Sequence, residues 1–180
     1  MRTPSAMTLF LLTTALFCLW GCARPRVLPL RTEPRVDLQR FMGDWYVIAS
    51  IPTFLEKGAH NAVESYRLEA DGTIATTFTF RKGAFNGPMK RFEPRGFVLD
   101  RVSNAVWGMR FVWPIKADYR IVHLSQDGGV TVIGREKRDF VWIMARRSEI
   151  PTPQYQALLM MLEEQGYDVR RIQMVPQRWT

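Results

Sequence analysis

The sequence is poor in the residues that most often carry chemistry. It has two cysteines, Cys18 and Cys22, and no thiol follows Cys22 for a disulfide. It has two histidines, His60 and His123, which are far apart, and no Cys/His pair has the spacing of a metal site. Neither a glycine-rich phosphate loop nor a nucleophile elbow occurs. These absences argue against the common metalloenzyme, nucleotide-binding and serine hydrolase classes.

Charge is also scarce at the N-terminus, where Arg2 is the one charged residue before Cys22. The uncharged stretch at 7–20 is too short to span a bilayer as a stable helix, but it suits the h-region of a secretory signal. The tetrapeptide LWGC at 19–22 resembles a bacterial lipobox, although Trp20 departs from the small residue usual there. The sequence therefore predicts a signal peptide at 1–21 and lipidation of Cys22. An ordinary export signal and an uncleaved signal anchor are the alternatives.

The segment after Cys22 indicates where the protein is held. Residues 23–35 contain three prolines and four arginines without apolar periodicity, so 22–35 is predicted to be the lipidated cysteine and a flexible tether. An Asp after the lipidated Cys would resemble an inner-membrane retention signal. The chain has Ala23 there instead, which favours the outer membrane, facing the periplasm.

The mature chain has 24 Lys and Arg against 17 Asp and Glu. Such a basic balance suits anionic lipid headgroups, and export argues against nucleic acid as a partner.

Eight short segments rich in Val, Ile, Thr and aromatic residues alternate with turn signals after the tether. They are Trp45–Ile51, Ala62–Leu68, Thr73–Arg81, Phe92–Leu99, Ala105–Trp113, Tyr119–Leu124, Val130–Ile133 and Phe140–Ala145. This spacing predicts an all-β meander, either barrel or sandwich. One helix is predicted at Tyr155–Gln165, with Thr152 as N-cap and Gly166 as C-cap, and Val169–Met174 is a candidate further strand.

Several motifs in this order resemble the lipocalin family. Gly43-Asp44-Trp45 resembles the Gly-x-Trp signature of the first strand, and Ala117-Asp118-Tyr119 resembles a Thr-Asp-Tyr motif, with Ala in place of Thr. Residues 140–146 resemble the last barrel strand, which ends in Arg, and a helix follows. With the lipobox and the FVWP segment at 111–114, the chain is similar to bacterial lipocalins of the outer-membrane lipoprotein type. The resemblance implies an eight-stranded up-and-down antiparallel barrel with a C-terminal α-helix, spanning 36–180.

One end of such a barrel must be sealed, because water would otherwise fill an apolar bore. The flat ring of Trp45 is placed to do this, and Gly43 allows the chain to turn tightly across the closed end. A guanidinium can lie on the indole face, and the resemblance implies that Arg146 is this partner. These three residues are predicted to be structural.

Strand parity predicts which side chains line the bore. If Trp45 points inward, so do Val47 and Ala49. In the second strand, the alternating residues that include Glu64 are the more apolar and are predicted to point inward. The alternating residues that include Val63 are the alternative. The predicted ligand-binding residues are Val47, Ala49, Glu64, Tyr66, Trp107, Met109, Phe111, Ile121, His123, Phe140, Trp142 and Met144. Aromatic residues and methionine suit a flexible acyl chain, unless the rings fill the barrel as a solid core.

The predicted function is therefore binding of a fatty acid or lysophospholipid, for lipid storage or transport in envelope maintenance, without a cofactor, metal or enzymatic activity. Rim candidates for an anionic headgroup are Lys57, His60 and Arg81 or Lys82. One alternative is an envelope protein-interaction module with a filled barrel. The other is an enzyme that uses Glu64 and His123 as an acid/base pair on a lipid-like substrate. A homodimer is left open.

Overall fold

The computed structural model describes residues 28–179; the predicted signal peptide and Cys22 lie outside these residues. The strands are β1 (Gly43–Ile51), β2 (Ala59–Leu68), β3 (Thr73–Lys82), β4 (Met89–Phe92), β5 (Arg95–Val98), β6 (Val106–Val112), β7 (Ile115–Leu124), β8 (Val130–Gly134), β9 (Val141–Ala145) and β10 (Gln173–Met174). The helices are α1 (Leu38–Phe41) and α2 (Thr152–Glu164), followed by a 3₁₀ turn at Val169–Arg171. Neither α-helix within 28–179 is long and apolar enough to cross a membrane.

The strands form a closed antiparallel barrel. Neighbours in sequence pair with one another, except β4 with β5 and β9 with β10, and β1 also pairs with β9, which closes the sheet. Strands β4 and β5 both pair with β3, so together they make one interrupted strand of an eight-stranded barrel. The interruption falls at Pro94, which has no N–H to donate to a ladder. The predicted barrel with a C-terminal helix is confirmed, although the predicted fourth segment, Phe92–Leu99, is divided.

Several other boundaries differ from those predicted, and of the candidate strand Val169–Met174 only Gln173–Met174 forms a strand, β10. Strand β7 begins at Ile115 rather than Tyr119, because the Trp113-Pro114 turn is tight and Ile115 pairs at once with Val112. Helix α2 begins at Thr152, so this residue is not the N-cap; Pro151 occupies that position without a side-chain cap hydrogen bond. Gly166 follows the helix with a φ of +89°, a left-handed conformation that favours glycine.

Two apolar clusters hold the fold together. One fills the barrel interior and contains Phe41, Trp45 and Trp107. The other lies between the outer face of the barrel and α2, where Ile48 and Ile143 pack with Leu162. Burial of each such aliphatic side chain contributes about 1.5–3 kcal/mol, so the helix is held mainly by its apolar side.

The N-terminal segment, residues 28–36, runs along the outside of the barrel from one end to the other. Arg138 in the β8–β9 loop donates from Nη2 to the Leu28 carbonyl at 2.6 Å. The backbone N–H of Glu33 donates to the Ile121 carbonyl at 2.9 Å, and that of Val36 to the Ser103 carbonyl at 2.7 Å. The predicted flexible tether therefore does not extend over 28–35, because these hydrogen bonds and the burial of Leu30 fix the segment.

Candidate functional site

The closed end of the barrel, where β1 begins and β9 ends, is sealed around Trp45. Its side chain is fully buried, and its Nε1 donates to the Phe41 carbonyl at 2.9 Å. The guanidinium of Arg146 lies 3.7 Å from the Trp45 ring centroid, and desolvation lowers the pKa of Arg146. Gly43, with a φ of +95°, turns the chain here, and a Cβ on it would lie 3.4 Å from Arg146 Nη1.

Arg146 also caps the C-terminal end of helix α1. Its guanidinium donates to the carbonyls of Arg40, Phe41, Met42 and Asp44 at 2.8–3.0 Å. The last carbonyls of a helix have no intrahelical partner, and a cation at this end is favourable. One side chain thus joins the helix that covers the barrel to the strand that closes it.

A layer of aromatic rings fills the closed half of the bore. Trp107 and Tyr119 stack at 5.4 Å between ring centroids, Tyr66 meets Trp107 edge-on at 5.8 Å, and the hydroxyls of Tyr66 and Tyr119 are hydrogen-bonded. Five of the predicted ligand residues are buried in the interior cluster and do not line the open cavity: Val47, Tyr66, Trp107, Ile121 and Met144. The closed half of the barrel is therefore filled by side chains, which is the alternative to a continuous bore.

The open half contains a cavity of about 250 Å³. Of the predicted ligand residues, those that line it are Glu64, Met109, Phe111, Phe140 and Trp142. The prediction missed the wall residues Thr53, Phe54, Leu55, Glu56, Phe78, Ala117, Asp118, Tyr119 and Arg135. Phe78 shares parity with the buried Ile74 and Phe80 along β3, so the same alternation rule identifies it. The β1–β2 loop has no such periodicity, and no comparable signal marks its residues.

Two predicted bore residues, Ala49 and His123, lie outside the bore. The register of β1 against β9 shifts between Val47 and Ala49, and Ala49 packs in the outer cluster against α2. The register of β7 against β8 shifts between Ile121 and His123, and His123 Nδ1 lies 3.8 Å from Glu33 Oε1 on the outside of the barrel. A bulge adds one residue to a strand and reverses the faces that follow, which corrects both assignments.

Three carboxyl groups line the cavity, those of Glu56, Glu64 and Asp118. Glu64 is 9% exposed, and burial raises its pKa to about 8, against a smaller opposite effect of the Tyr66 hydroxyl. Burial also raises the pKa of Glu56, whose Oε2 accepts from Trp142 Nε1 at 3.0 Å and from the Thr53 N–H at 3.3 Å. The second hydrogen bond folds the β1–β2 loop on itself, and the first ties this loop to β9.

One cation, Arg135, lines the cavity within the described residues. Its Nη1 lies 3.3 Å from Asp139 Oδ2, and its guanidinium lies 5.3 Å from the Phe140 ring centroid. Its buried Nε has no hydrogen-bond partner in the part of the chain that the structure describes. Arg135 begins the β8–β9 loop, so its charge is held at the open end of the barrel.

The predicted rim residues Lys57, His60, Arg81 and Lys82 do not line the cavity, and the side chains of the last three make other contacts. Lys82 Nζ donates to the Lys57 carbonyl at 2.7 Å and so supports the β1–β2 loop. The His60 ring meets Phe85 at 4.9 Å, and Arg81 Nη1 donates to the Gly87 carbonyl at 3.3 Å.

Apolar side chains are exposed around the open end. Phe54 is 85% exposed and Trp113 is 79% exposed. We define the mouth patch as these two residues with Leu55, Phe111, Val112 and Ile115, all of which lie on the β1–β2 loop or the β6–β7 hairpin. Its members flank the entrance to the cavity, because Phe54, Leu55 and Phe111 also line it.

A closed eight-stranded barrel with a ligand-sized cavity at one end is the architecture of a small-molecule binding protein. The family model for the lipocalin-like domain matches residues 36–177, and the chain therefore belongs to the lipocalin family. Insecticyanin from the tobacco hornworm has a similar fold, with a TM-score of 0.63, 13% identity and coverage of 87% of this chain and 86% of that one.

Curated relatives come from plants, bacteria and animals. Temperature-induced lipocalin-1 of Arabidopsis thaliana is 28% identical over 79% of this chain and 80% of that protein. The outer membrane lipoprotein Blc of Escherichia coli K12 is 25% identical over 91% of this chain and 93% of that protein. Apolipoprotein D of Macaca fascicularis is 26% identical over 94% of this chain and 95% of that protein. Alignments to the last two include the region before residue 36, where the predicted signal lies.

Proposed function

We propose that this protein is an outer-membrane-anchored lipocalin that binds the acyl chain of a fatty acid or lysophospholipid, for lipid storage or transport in the cell envelope. The cavity in the open half of the barrel carries this proposal. It is lined mainly by apolar side chains, such as Phe78, Met109 and Trp142, and the aromatic layer below it excludes water. Burial of each methylene contributes about 0.8 kcal/mol, which favours a flexible hydrocarbon chain.

The charge at the entrance supports a ligand with an anionic head. Arg135 lies on the cavity wall at the open end and has an unused N–H. A carboxylate or phosphate at the entrance would pair with the Arg135 guanidinium, with the hydrocarbon chain directed inward. Arg135 thus takes the role proposed for the rim cations, which contact other parts of the protein.

The course of the N-terminal segment supports membrane anchoring next to the entrance. Leu28 is held by Arg138 in the β8–β9 loop, on the same end of the barrel as the mouth patch. Leu28 lies six positions after Cys22, and at about 3.3–3.6 Å per residue this stretch can reach about 20 Å. A lipid on Cys22 would therefore hold the entrance near the membrane, as suits exchange of an apolar ligand. The outer membrane lipoprotein among the relatives supports this location.

Binding without turnover is the proposed activity. The candidate acid/base pair of Glu64 and His123 does not form, because Glu64 lines the cavity and His123 lies beside Glu33 on the outer surface. The remaining cavity wall has the mixed apolar and polar character of a binding site.

Native mass spectrometry of the delipidated protein with an envelope-lipid extract tests the proposal. We expect one single-chain lipid per protein in the wild type and none in an Ala117→Trp variant, because the indole would occupy the cavity. Lys116→Trp, at the adjacent position, is the matched control and should retain the ligand. A wild type that takes up no lipid, or an Ala117→Trp variant that binds as the wild type does, would contradict the proposed site.

A further inference from the structure

The floor of the cavity carries three polar groups in otherwise apolar surroundings. Glu64 and Tyr119 line the cavity, and the Tyr66 hydroxyl is hydrogen-bonded to that of Tyr119. Glu64 and Tyr66 lie two residues apart on β2 and therefore face the same side of the sheet. We call these three residues the polar floor. They lie where the aromatic layer ends and the open space begins.

The polar floor is not explained by the stability of the barrel. Within residues 28–179, no Lys, Arg or His nitrogen forms an ion pair with the Glu64 carboxyl. Burying a carboxyl in apolar surroundings is unfavourable unless its hydrogen bonds are fully replaced. A Leu or Met at this position would pack against Phe78 without that penalty. The side chain faces the cavity instead, with the Tyr66 hydroxyl as a hydrogen-bonding neighbour, so the rest of its hydrogen-bonding capacity is available to a ligand.

The charges around Glu64 determine which kind of ligand group can bind beside it. Glu56 also faces the cavity, and its carboxylate would repel an anionic ligand end placed beside Glu64. Asp118 lines the wall as well, while Arg135 is held at the open end. A methyl end would leave the part of the Glu64 carboxyl that Tyr66 does not satisfy without a partner in a dry site. A hydroxyl avoids both penalties, because it is neutral and both donates and accepts.

We propose that Glu64, with Tyr66 and Tyr119, forms a subsite for a hydroxyl group on the inserted part of an acyl chain, so that the cavity prefers hydroxylated over plain chains. This inference rests on the proposed function, since it names the class of acyl chain that the same cavity takes. The pKa of about 8 that burial gives Glu64 supports it: near pH 7 the carboxyl is largely protonated and, like the hydroxyl, is both donor and acceptor. A site built for a hydroxyl rejects the analogue that lacks it, because its own polar groups then stay unpaired.

Matched pairs of fatty acids test this preference. Decanoate, dodecanoate and hexadecanoate would each be compared with the acid of the same length that carries a terminal hydroxyl, by competition against a fluorescent acyl probe at pH 7. For at least one length we expect the hydroxy acid to bind about tenfold more tightly to the wild type. In Glu64→Leu the preference should vanish or reverse, while the plain acid binds at least as well as before. Ser65→Ala, on the opposite face of β2, should behave as the wild type.

The outcomes separate this inference from the proposed function. If the wild type binds each plain acid as tightly as its hydroxylated partner, the polar floor is not a hydroxyl subsite, and the acyl-binding function stands. A preference that persists in Glu64→Leu also overturns the inference. If no fatty acid of any kind binds the wild type, the proposed function fails and takes this inference with it. The wild-type comparison decides the matter even where the Leu variant does not fold.

Discussion

The Arg146 guanidinium lies 3.7 Å from the Trp45 ring centroid, which joins the residue after the last barrel strand to the first strand. The same guanidinium donates to the carbonyls of α1, the short helix that covers the closed end. Three elements therefore meet at one cation, and none of them needs the cavity to be occupied.

Trp45→Ala should lower the free energy of unfolding by about 3–5 kcal/mol, because it removes a buried ring and leaves the cation above it without its partner. Arg146→Ala should have a smaller effect. Urea denaturation of both variants and of the double variant gives the coupling between them. Effects that add to within about 0.3–0.5 kcal/mol would show that the two side chains do not interact.

Met109→Glu should abolish binding of a fatty acid or lysophospholipid, because the new carboxylate would lie on the cavity wall and be desolvated there. Arg110→Glu is the control, since Arg110 lies over the Phe97 ring on the outer face of β6. Titration of a fluorescent acyl probe into both variants measures the difference. Loss of binding in Arg110→Glu with normal binding in Met109→Glu would reverse the assignment of faces in β6.

Glu64 should make the protein less stable as the pH rises. Its folded pKa of about 8 lies above the ordinary glutamate value of 4.5, so the folded state binds the proton more tightly than the unfolded state. The resulting contribution is fully present below about pH 4.5 and is lost progressively up to about pH 8; Glu56 acts in the same direction. Urea unfolding at pH 5, 7 and 9 should show that Glu64→Gln reduces this decline. Equal pH dependence in the variant and the wild type would rule out Glu64 as its source.

Cys22→Ser should move the protein from the membrane to the soluble periplasmic fraction, because the lipid on Cys22 is the proposed anchor. Cys18→Ser should leave it at the membrane and serves as the control. Fractionation and incorporation of radiolabelled palmitate measure the effect. A wild-type protein that takes up no palmitate would disprove lipidation.

Leu162→Ala should lower the free energy of unfolding by about 2–5 kcal/mol, because this fully buried residue fixes α2 to the barrel. Met160→Ala, at an exposed position of the same helix, should change it by no more than about 0.5 kcal/mol. Neither variant should weaken ligand binding while folded, since both residues lie outside the barrel. A Leu162→Ala variant that is folded but no longer binds the acyl probe would show that α2 influences the cavity.

The sequence predicts the barrel well because its strands are short and regularly separated by turn residues. Alternation also places Met109 and Trp142 correctly on the inner face, since the pairing of β6 with β5 and of β9 with β8 is regular at those positions. The same rule fails for Ala49 and His123, because each follows a bulge that no residue pattern marks.

The extent of the cavity is harder to predict than the identity of the inward residues. Tyr66 and Trp107 point inward, yet they do not line the cavity. They pack instead against Phe41, which belongs to α1 and not to a barrel strand. The position of Glu56 likewise depends on the hydrogen bond to Trp142, which lies 86 residues away in the chain. Such long-range contacts are set by the folded structure and leave no local pattern.

The separation of the aromatic layer from the cavity affects how the ligand specificity of this protein can change in evolution. Phe41, Trp45 and Trp107 are buried and do not line the cavity, whereas the wall residues Phe54 and Glu56 lie on the β1–β2 loop, outside the interior cluster. Substitutions on this part of the wall can therefore alter what is bound without first weakening the core. Selection can act on specificity and on foldability at different positions, which makes the open half of the barrel a region where new ligands can be acquired within an unchanged scaffold.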